Sequence, residues 1–317
     1  MSQPLGHAAV CALTYRRPRG LERLLDGLDE LEIPDGLRLD VVIVDNDADA
    51  SARTAVEARA ATSAFSLHYV HEPARGISTA RNAAVAGGLE LGADAICFID
   101  DDEWPEADWL RQFIETAEST SADVVTGPVF PVFEETPPAW VLDGGFFDRR
   151  RHEHEERIRY ATTSSVLIRS DALRRRTPPS DAAPFDLAFG LTGGEDTHLF
   201  AEMRTEGCAL VWCDRAIVHE LIPASKVNTS WLLRREYRRG QTLSLSMRRR
   251  TPGAWRVVRR IANATIEIGL GIPATLIGVV RGRAALMRGL HRVVFGVGML
   301  TGLAGRSYAE YSTTHGS

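Results

Sequence analysis

FIDDDEWP, residues 98–105, sets three aspartates and a glutamate in a row directly behind an apolar run that begins at Ala95. Adjacent carboxylates repel one another, and left alone their pKa values rise. A β-strand ending on such a run delivers that charge to the carboxyl edge of a sheet, where the ligands of open α/β sheets collect. On its own the run reads equally well as an acidic turn opening the helix EADWLRQFIETAE (106–118), with Glu103 in the favourable field of the helix N-terminus. Its surroundings decide between the two.

Outward from it, short apolar runs alternate with helical patterns. HAAVCALTY (7–15), DVVIVDN (40–46), FSLHYVHE (65–72) and AICFID (95–100) read as strands. Between them RGLERLLDGLDEL (19–31), a segment near 50–62 and ISTARNAAVAGGLEL (77–91) read as helices, with Leu21, Leu24, Leu25, Leu28 and Leu31 at helical spacing after Pro18. ADVVTGPV (122–129), ATTSSVLIRS (161–170) and ALVWCDRAIVHEL (209–221) continue as strands. The alternation predicts an α/β fold: a mostly parallel, Rossmann-like sheet with helices on both faces. Residues 130–162, rich in proline, aromatics and charge, read as a long excursion from the sheet. HEHEE (152–156) within it is not HExxH, since residue 156 is Glu, and reads as a solvated charged loop.

In such a sheet Thr14 and Tyr15, Asp45 to Asp47, and Asp100 to Asp102 line one crevice. A divalent cation relieves the crowding of the last group, and carboxylate oxygens suit Mg²⁺ or Mn²⁺ shared with substrate phosphates. No GxGxxG follows the first strand and no GxxxxGK[ST] occurs, which removes the main support for dinucleotide and P-loop readings. Aspartyl phosphoryl transfer fits poorly too: that pattern resembles DxDx[TV], whereas Trp104 follows Glu103 here, and the acids sit on the fourth predicted strand rather than the first.

The chain of 317 residues carries a net charge of −5, but unevenly: residues 1–225 sum to −18 and residues 226–317 to +13. SWLLRREYRRGQTLSLSMRRR (230–250) reads as a helix with Arg234, Arg235, Arg238 and Arg239 clustered; one or two of these forks suit a diphosphate. Beyond Pro252 two apolar runs, Ile261 to Val280 and Ala284 to Gly305, are interrupted by Glu267 and Pro273 and by Arg288, His291 and Arg292. They predict helices lying in the interface of an anionic leaflet rather than spans, with packing on the main domain or an oligomer contact as the alternatives. So much apolar sequence argues against nucleic acid as a partner. The expected organisation is a main domain over 1–250 and a basic, apolar helical region over 251–317. No basic-then-apolar leader opens the sequence, so the expected location is cytoplasmic, peripheral at the inner face of the cell membrane. Cys11, Cys97, Cys208 and Cys213 form no CxxC and read as reduced thiols.

Six blocks in order, TYRRP (14–18), VVIVDND (41–47), EPARGISTARNAA (72–84), FIDDDEWPEADWL (98–110), TGGEDTHLF (192–200) and AIVHE (216–220), resemble an inverting family-2 glycosyltransferase of GT-A fold, of the bacterial succinoglycan-type exopolysaccharide group. The resemblance covers about residues 7–245. It implies nucleotide contacts at Thr14 and Tyr15, uracil recognition by Asp45, and an approach of Arg81, with Arg75 second, to the nucleotide and diphosphate. Asp101 would take the ribose and Asp102 the metal, with Asp100 supporting and His219 completing the metal site. Gly194 and Glu195 would adjoin the donor sugar, and Asp196 would be the catalytic base. The implied reaction moves a hexose from a nucleotide sugar, UDP-linked on this reading, to a glycan or polyprenyl-linked acceptor. A nucleotidyltransferase on a related fold is the alternative, although TYRRPRG lacks the glycine-rich Lys/Arg loop typical of that class. Donor and acceptor choice is expected in the loops 130–162 and 178–192. A neutral His219 ligand would make activity fall below about pH 6.5.

Overall fold

The run HAAVCALT is buried along nearly its whole length, as a strand covered on both faces must be. In the computed structural model, which describes residues 4–176, 183–249 and 253–305, it forms β1 (His7–Thr14). Strict alternation follows: α1 (Pro18–Asp29), β2 (Arg38–Asp45), α2 (Arg53–Ala60), β3 (Ser66–His71), α3 (Ile77–Glu90) and β4 (Ala95–Ile99). Pro18 sits in the first turn of α1, where its missing N–H costs nothing. The leucine stripe of α1 then buries Leu21, Leu24, Leu25 and Leu28 against the sheet.

From Glu103 the chain departs from simple alternation. It continues as β5 (Glu103–Pro105), α4 (Trp109–Ser119), β6 (Val124–Thr126), β7 (Val129–Phe133), α5 (Ala139–Gly144), β8 (Ser165–Arg169), α6 (Ser170–Arg176), α7 (Glu195–Thr205), β9 (Leu210–Trp212) and β10 (Val218–Ile222). Among the described residues, seven strands form one sheet in the order β3-β2-β1-β4-β8-β6-β9, and β5-β10-β7 form a second, smaller one. β8 runs antiparallel to both β4 and β6, and the remaining pairs of the large sheet are parallel.

The second sheet is where the periodicity misleads. ADVVTGPV and ALVWCDRAIVHEL each predict one strand, and each is two. Pro128, which has no N–H for a ladder, separates β6 from β7. Between β9 and β10 the chain turns at Asp214, whose carboxylate accepts from the Trp212 indole N–H (3.1 Å) and pairs with Arg151 (2.5 Å). The expected excursion 130–162 thus begins as a paired strand. Its HEHEE is not wholly solvated: the three glutamates are exposed, but His152 packs its ring on Trp212, centroids 5.5 Å apart.

All four cysteines are free, three of them buried. The chain ends its described part in three long helices, α8 (Thr229–Arg249), α9 (Ala254–Arg281) and α10 (Arg283–Leu303). The expected domain boundary at 250/251 lies outside the described residues. α10 packs between the other two through small residues: Gly240 of α8 lies on Phe295, and Gly271 and Gly278 of α9 lie on Val293 and Leu286. Such seams let helix backbones approach closely. Glu267, the acid inside the apolar run of α9, is paired with Arg292 of α10 at 2.8 Å. Among the described residues α9 alone is long and apolar enough to cross a membrane. A separate apolar cluster of Val141, Phe146, Phe147, Ile222, Leu232 and Met287 ties α5, β10, α8 and α10 together.

Candidate active site

Parallel pairing aligns the strand ends. Thr14 of β1 faces Asp45 of β2, and the β1–β4 register, Cys11 beside Phe98, carried three residues on sets Thr14 beside Asp101. The Thr14 hydroxyl donates to Asp101 Oδ2 at 3.0 Å. There the chain opens a cleft of about 1170 Å³.

The acid run is a folded-back turn. The Asp100 N–H donates to Glu103 Oε2 (3.0 Å), and the Glu103 N–H donates to the Asp100 carbonyl (3.1 Å). Glu103 therefore opens no helix: it is 1% exposed and enters β5, and α4 starts only at Trp109. Burial and its acidic neighbour Asp100 push its pKa well up. Burial likewise raises Asp100. Burial pushes Asp101 up to about 6, against the pull of Arg17 at 2.8 Å. Asp102 goes the other way. Burial would raise it, but Lys226 at 3.1 Å and Arg17 at 3.4 Å outweigh that and hold it below the usual carboxylate range.

Across the cleft, Gly193 and Gly194 take positive φ of 73° and 96° immediately before α7. A side chain at 194 would overlap Thr242 of α8, so the turn requires glycine there. The turn presents Asp196 to the cleft, one oxygen accepting from the Thr197 N–H at 2.5 Å. Glu195 is buried against Arg81, which also reaches Asp100 at 3.6 Å. Arg81 thus spans two of the motifs: it lines the cleft, and its guanidinium pairs with carboxylates of both.

At the far end, the guanidinium carbons of Arg75 and Arg16 sit 5.0 and 5.5 Å from the Tyr15 ring centre. Asp45 does not face the cleft. It is fully buried, and its oxygens accept from the N–H groups of Asp47 (3.1 Å) and Ala52 (2.8 Å) and from the Tyr69 hydroxyl (3.0 Å). The cleft wall here is Asn46, which pins the following loop by bonds to Glu72, Ala74 and Gly76.

His219 is also turned away. Its register partner on β5 is Trp104, on which it stacks at 5.6 Å, and its Nε2 pairs with Glu106 at 3.1 Å. Strand alternation brings the next residue, Glu220, to the cleft instead. Glu220 pairs with Arg149 at 2.6 Å and lies 3.9 Å from the Lys226 amine. Asp102 and Glu220 therefore flank one cation. Two hard carboxylates around a single positive centre are the donor chemistry of Mg²⁺ and Mn²⁺. Among the described residues no three His, Cys, Asp or Glu side chains are grouped to chelate a metal. The arrangement thus fits an ion held by one or two carboxylates plus substrate phosphates.

Arg17 and Glu220 lie within the blocks TYRRP and AIVHE but are given no role there, and Arg149 and Lys226 lie outside the blocks; their partners are set by tertiary contacts. Lys226 carries a different signal in the sequence: it is the single lysine of the chain. The remaining wall is aromatic and basic, with Arg235 over Phe147 and Trp231 at 5.1 Å each.

Residues 9–177 match the glycosyl transferase family 2 profile. The chain is 34% identical over 314 residues to the succinoglycan biosynthesis protein ExoM of Rhizobium meliloti (strain 1021), covering 96% of this chain and 95% of that one. Among solved structures it resembles the mannosyltransferase PcManGT from Pyrobaculum calidifontis in complex with GDP-Man and Mn²⁺, with a TM-score of 0.60 and 17% identity over 96% of this chain and 87% of that one. It also resembles GalNAc-T7 with UDP, GalNAc and Mn²⁺ (TM-score 0.56, 10% identity, 77% and 51% covered) and S. aureus TarS 1–349 with UDP (0.52, 12%, 95% and 92%). These likenesses show the GT-A fold. The chain belongs to glycosyl transferase family 2 and is a glycosyltransferase.

Proposed function

We propose that the enzyme is an inverting hexosyltransferase of exopolysaccharide assembly. It takes its sugar from a nucleotide donor, UDP-linked, and works at the cytoplasmic membrane surface on a glycan or polyprenyl-linked acceptor. One observation carries the reading. The acid turn after β4 and the Gly-Gly-Glu-Asp turn before α7 face one cleft and are strapped together by Arg81, so a diphosphate end and a base end lie side by side.

The chemistry follows from that pairing. An acceptor hydroxyl oxygen attacks the anomeric carbon, the bond from that carbon to the phosphate oxygen breaks, and Asp196 takes the hydroxyl proton from the side opposite the leaving group. Inversion is the consequence of a single displacement. Asp101, with Thr14, would hold the ribose, and Tyr15 with Arg75 offers a stacking face to the base. Asp102 and Glu220 would hold a divalent cation, which when bound neutralises charge developing on the leaving diphosphate. The exposed apolar face of α9, flanked by arginines of α9 and α10, supports an in-plane seat on an anionic leaflet.

Asp196→Asn tests the base. Transfer should drop by a factor of about 10² to 10⁴, the range of a lost general base, while UDP affinity changes little. Turnover at the wild-type rate would remove Asp196 from the mechanism. A screen of UDP- and GDP-sugars with Mn²⁺ identifies the donor through the nucleoside diphosphate released, and pyrophosphate released instead from a nucleoside triphosphate and a sugar 1-phosphate would favour nucleotidyl transfer.

A further inference from the structure

Lys226 is the chain's only lysine; the other 36 basic residues are arginines. It ends the short 3₁₀ turn Ala224–Lys226 between β10 and α8, and its side chain is 12% exposed. Its amine lies 3.1 Å from Asp102 Oδ2 and 3.9 Å from Glu220 Oε1. The sequence uses arginine at every other cationic position, including those of the cleft, and a lysine here. The difference is physical. An arginine fork grips a carboxylate through fixed paired bonds, whereas lysine is a compact charge on a flexible stem that can change partners. Arg17 is fixed by comparison: it lies closer to Asp101 (2.8 Å) than to Asp102 (3.4 Å), so its main partner is independent of Lys226.

We infer that Lys226 is a displaceable counter-cation of the donor site. It neutralises Asp102 and Glu220 while the cleft is empty, competes with a divalent cation for Asp102, and turns to the donor's diphosphate when metal and nucleotide enter together. The inference rests on the proposed metal role of Asp102. Its consequence is coupling. A metal entering an empty cleft must break the Lys226–Asp102 pair with nothing to receive the amine. A metal entering with a diphosphate supplies the amine with a new anion. Each ligand then raises the affinity of the other by one common factor.

Mn²⁺ is titrated into the full chain without nucleotide, free Mn²⁺ being read by electron paramagnetic resonance, for wild type, Lys226→Met, Lys226→Arg and Asp102→Asn. Lys226→Met should bind Mn²⁺ about tenfold more tightly than wild type, the scale of a part-buried ion pair, and Lys226→Arg, whose fork grips Asp102 through paired bonds, should bind it more weakly than wild type. With UDP or GDP added, wild type should gain at least tenfold in Mn²⁺ affinity and Lys226→Met much less. Equal or weaker Mn²⁺ binding by Lys226→Met in the empty enzyme overturns the inference. If Asp102→Asn still binds Mn²⁺ like wild type, the metal reading of Asp102 falls and takes the inference with it. Loss of Mn²⁺ in Asp102→Asn with no change in Lys226→Met removes the inference alone. A second measurement needs no variant. Reductive methylation with ¹³C-formaldehyde labels one side chain in this protein, apart from the N-terminal amine. The Lys226 signal should move when Mg²⁺ and UDP or GDP are present together and hold still with Mg²⁺ alone; a signal unmoved by either combined addition overturns the proposal.

Discussion

Arg81 and Glu195 form an ion pair whose side chains are 6% and 2% exposed, and Glu195 is the residue before the proposed base. Arg81 Nε and Glu195 Oε2 have no hydrogen-bond partner among the described residues. A buried pair so incompletely satisfied is weak support for stability, yet removing one member strands the other at about 3–5 kcal/mol. Its place, bridging Asp100 and the turn that carries Asp196, assigns it to positioning. Glu195→Gln and Arg81→Met should each lower the melting temperature and cut kcat about ten- to a hundredfold, with the donor KM within about threefold. The double Arg81→Met/Glu195→Met should regain stability without regaining rate. If Arg81→Met instead weakens UDP binding tenfold at unchanged kcat, Arg81 is a diphosphate ligand after all.

A metal site completed from β10 should depend on Glu220 and not on His219. The His219 ring is held between Trp104 and Phe130, at 5.6 and 6.3 Å, on the side of the strand away from the cleft. His219→Phe keeps that stacking and should leave the Mn²⁺ concentration for half-maximal activity within about threefold. Glu220→Gln removes one of two hard ligands and should raise it at least tenfold. The reverse pattern would restore His219 to the metal.

Those two residues show how far the sequence could be read. Alternation of strands and helices, the acid run at the end of β4 and the glycine pair before Asp196 are local signals, and the structure agrees with them about the fold. His219 and Glu220 differ by one position on a strand, so the side each faces depends on register with β5, which Pro128 and the turn at Asp214 create and no local pattern announces. Asp45 was legible as a strand-end acid. That Tyr69 from β3 and the Ala52 N–H occupy it was not, because both contacts are tertiary.

The pH response should follow Asp101. Burial lifts its folded pKa to about 6, above the ordinary aspartate value of about 4. Below about pH 4 both folded and unfolded chains hold the proton. Between there and about pH 6 only the folded chain does, so this group's contribution to stability is lost as pH rises through 6. The penalty at pH 7 is at most about 3 kcal/mol. Asp101→Asn should therefore melt higher than wild type at pH 7.5 and near wild type at pH 4, while binding UDP more weakly. Transfer by wild type should decline as pH falls through about 6. That decline should be absent in Asp101→Asn, and its persistence there would remove it from Asp101.

Membrane contact should be a property of one face of α9. Trp255, Leu276, Val279 and Val280 are 74%, 67%, 68% and 85% exposed, whereas Ala264, Gly271 and Gly278 on the opposite side are buried against α10. Arg256, Arg259, Arg281 and Arg283 stand at the two ends of the helix, where anionic headgroups would meet them. A large apolar side chain moved from water to hydrocarbon gains about 1.5–3 kcal/mol, so Leu276→Glu with Val280→Glu should lower co-sedimentation with vesicles containing anionic lipid by well over tenfold. Because both side chains are already exposed, the melting temperature should hold, and transfer to a small soluble acceptor should hold with it. Binding should also weaken with salt for wild type, since the arginine share of it is screened. Vesicle binding that survives the double glutamate variant would remove this face of α9 from the membrane contact.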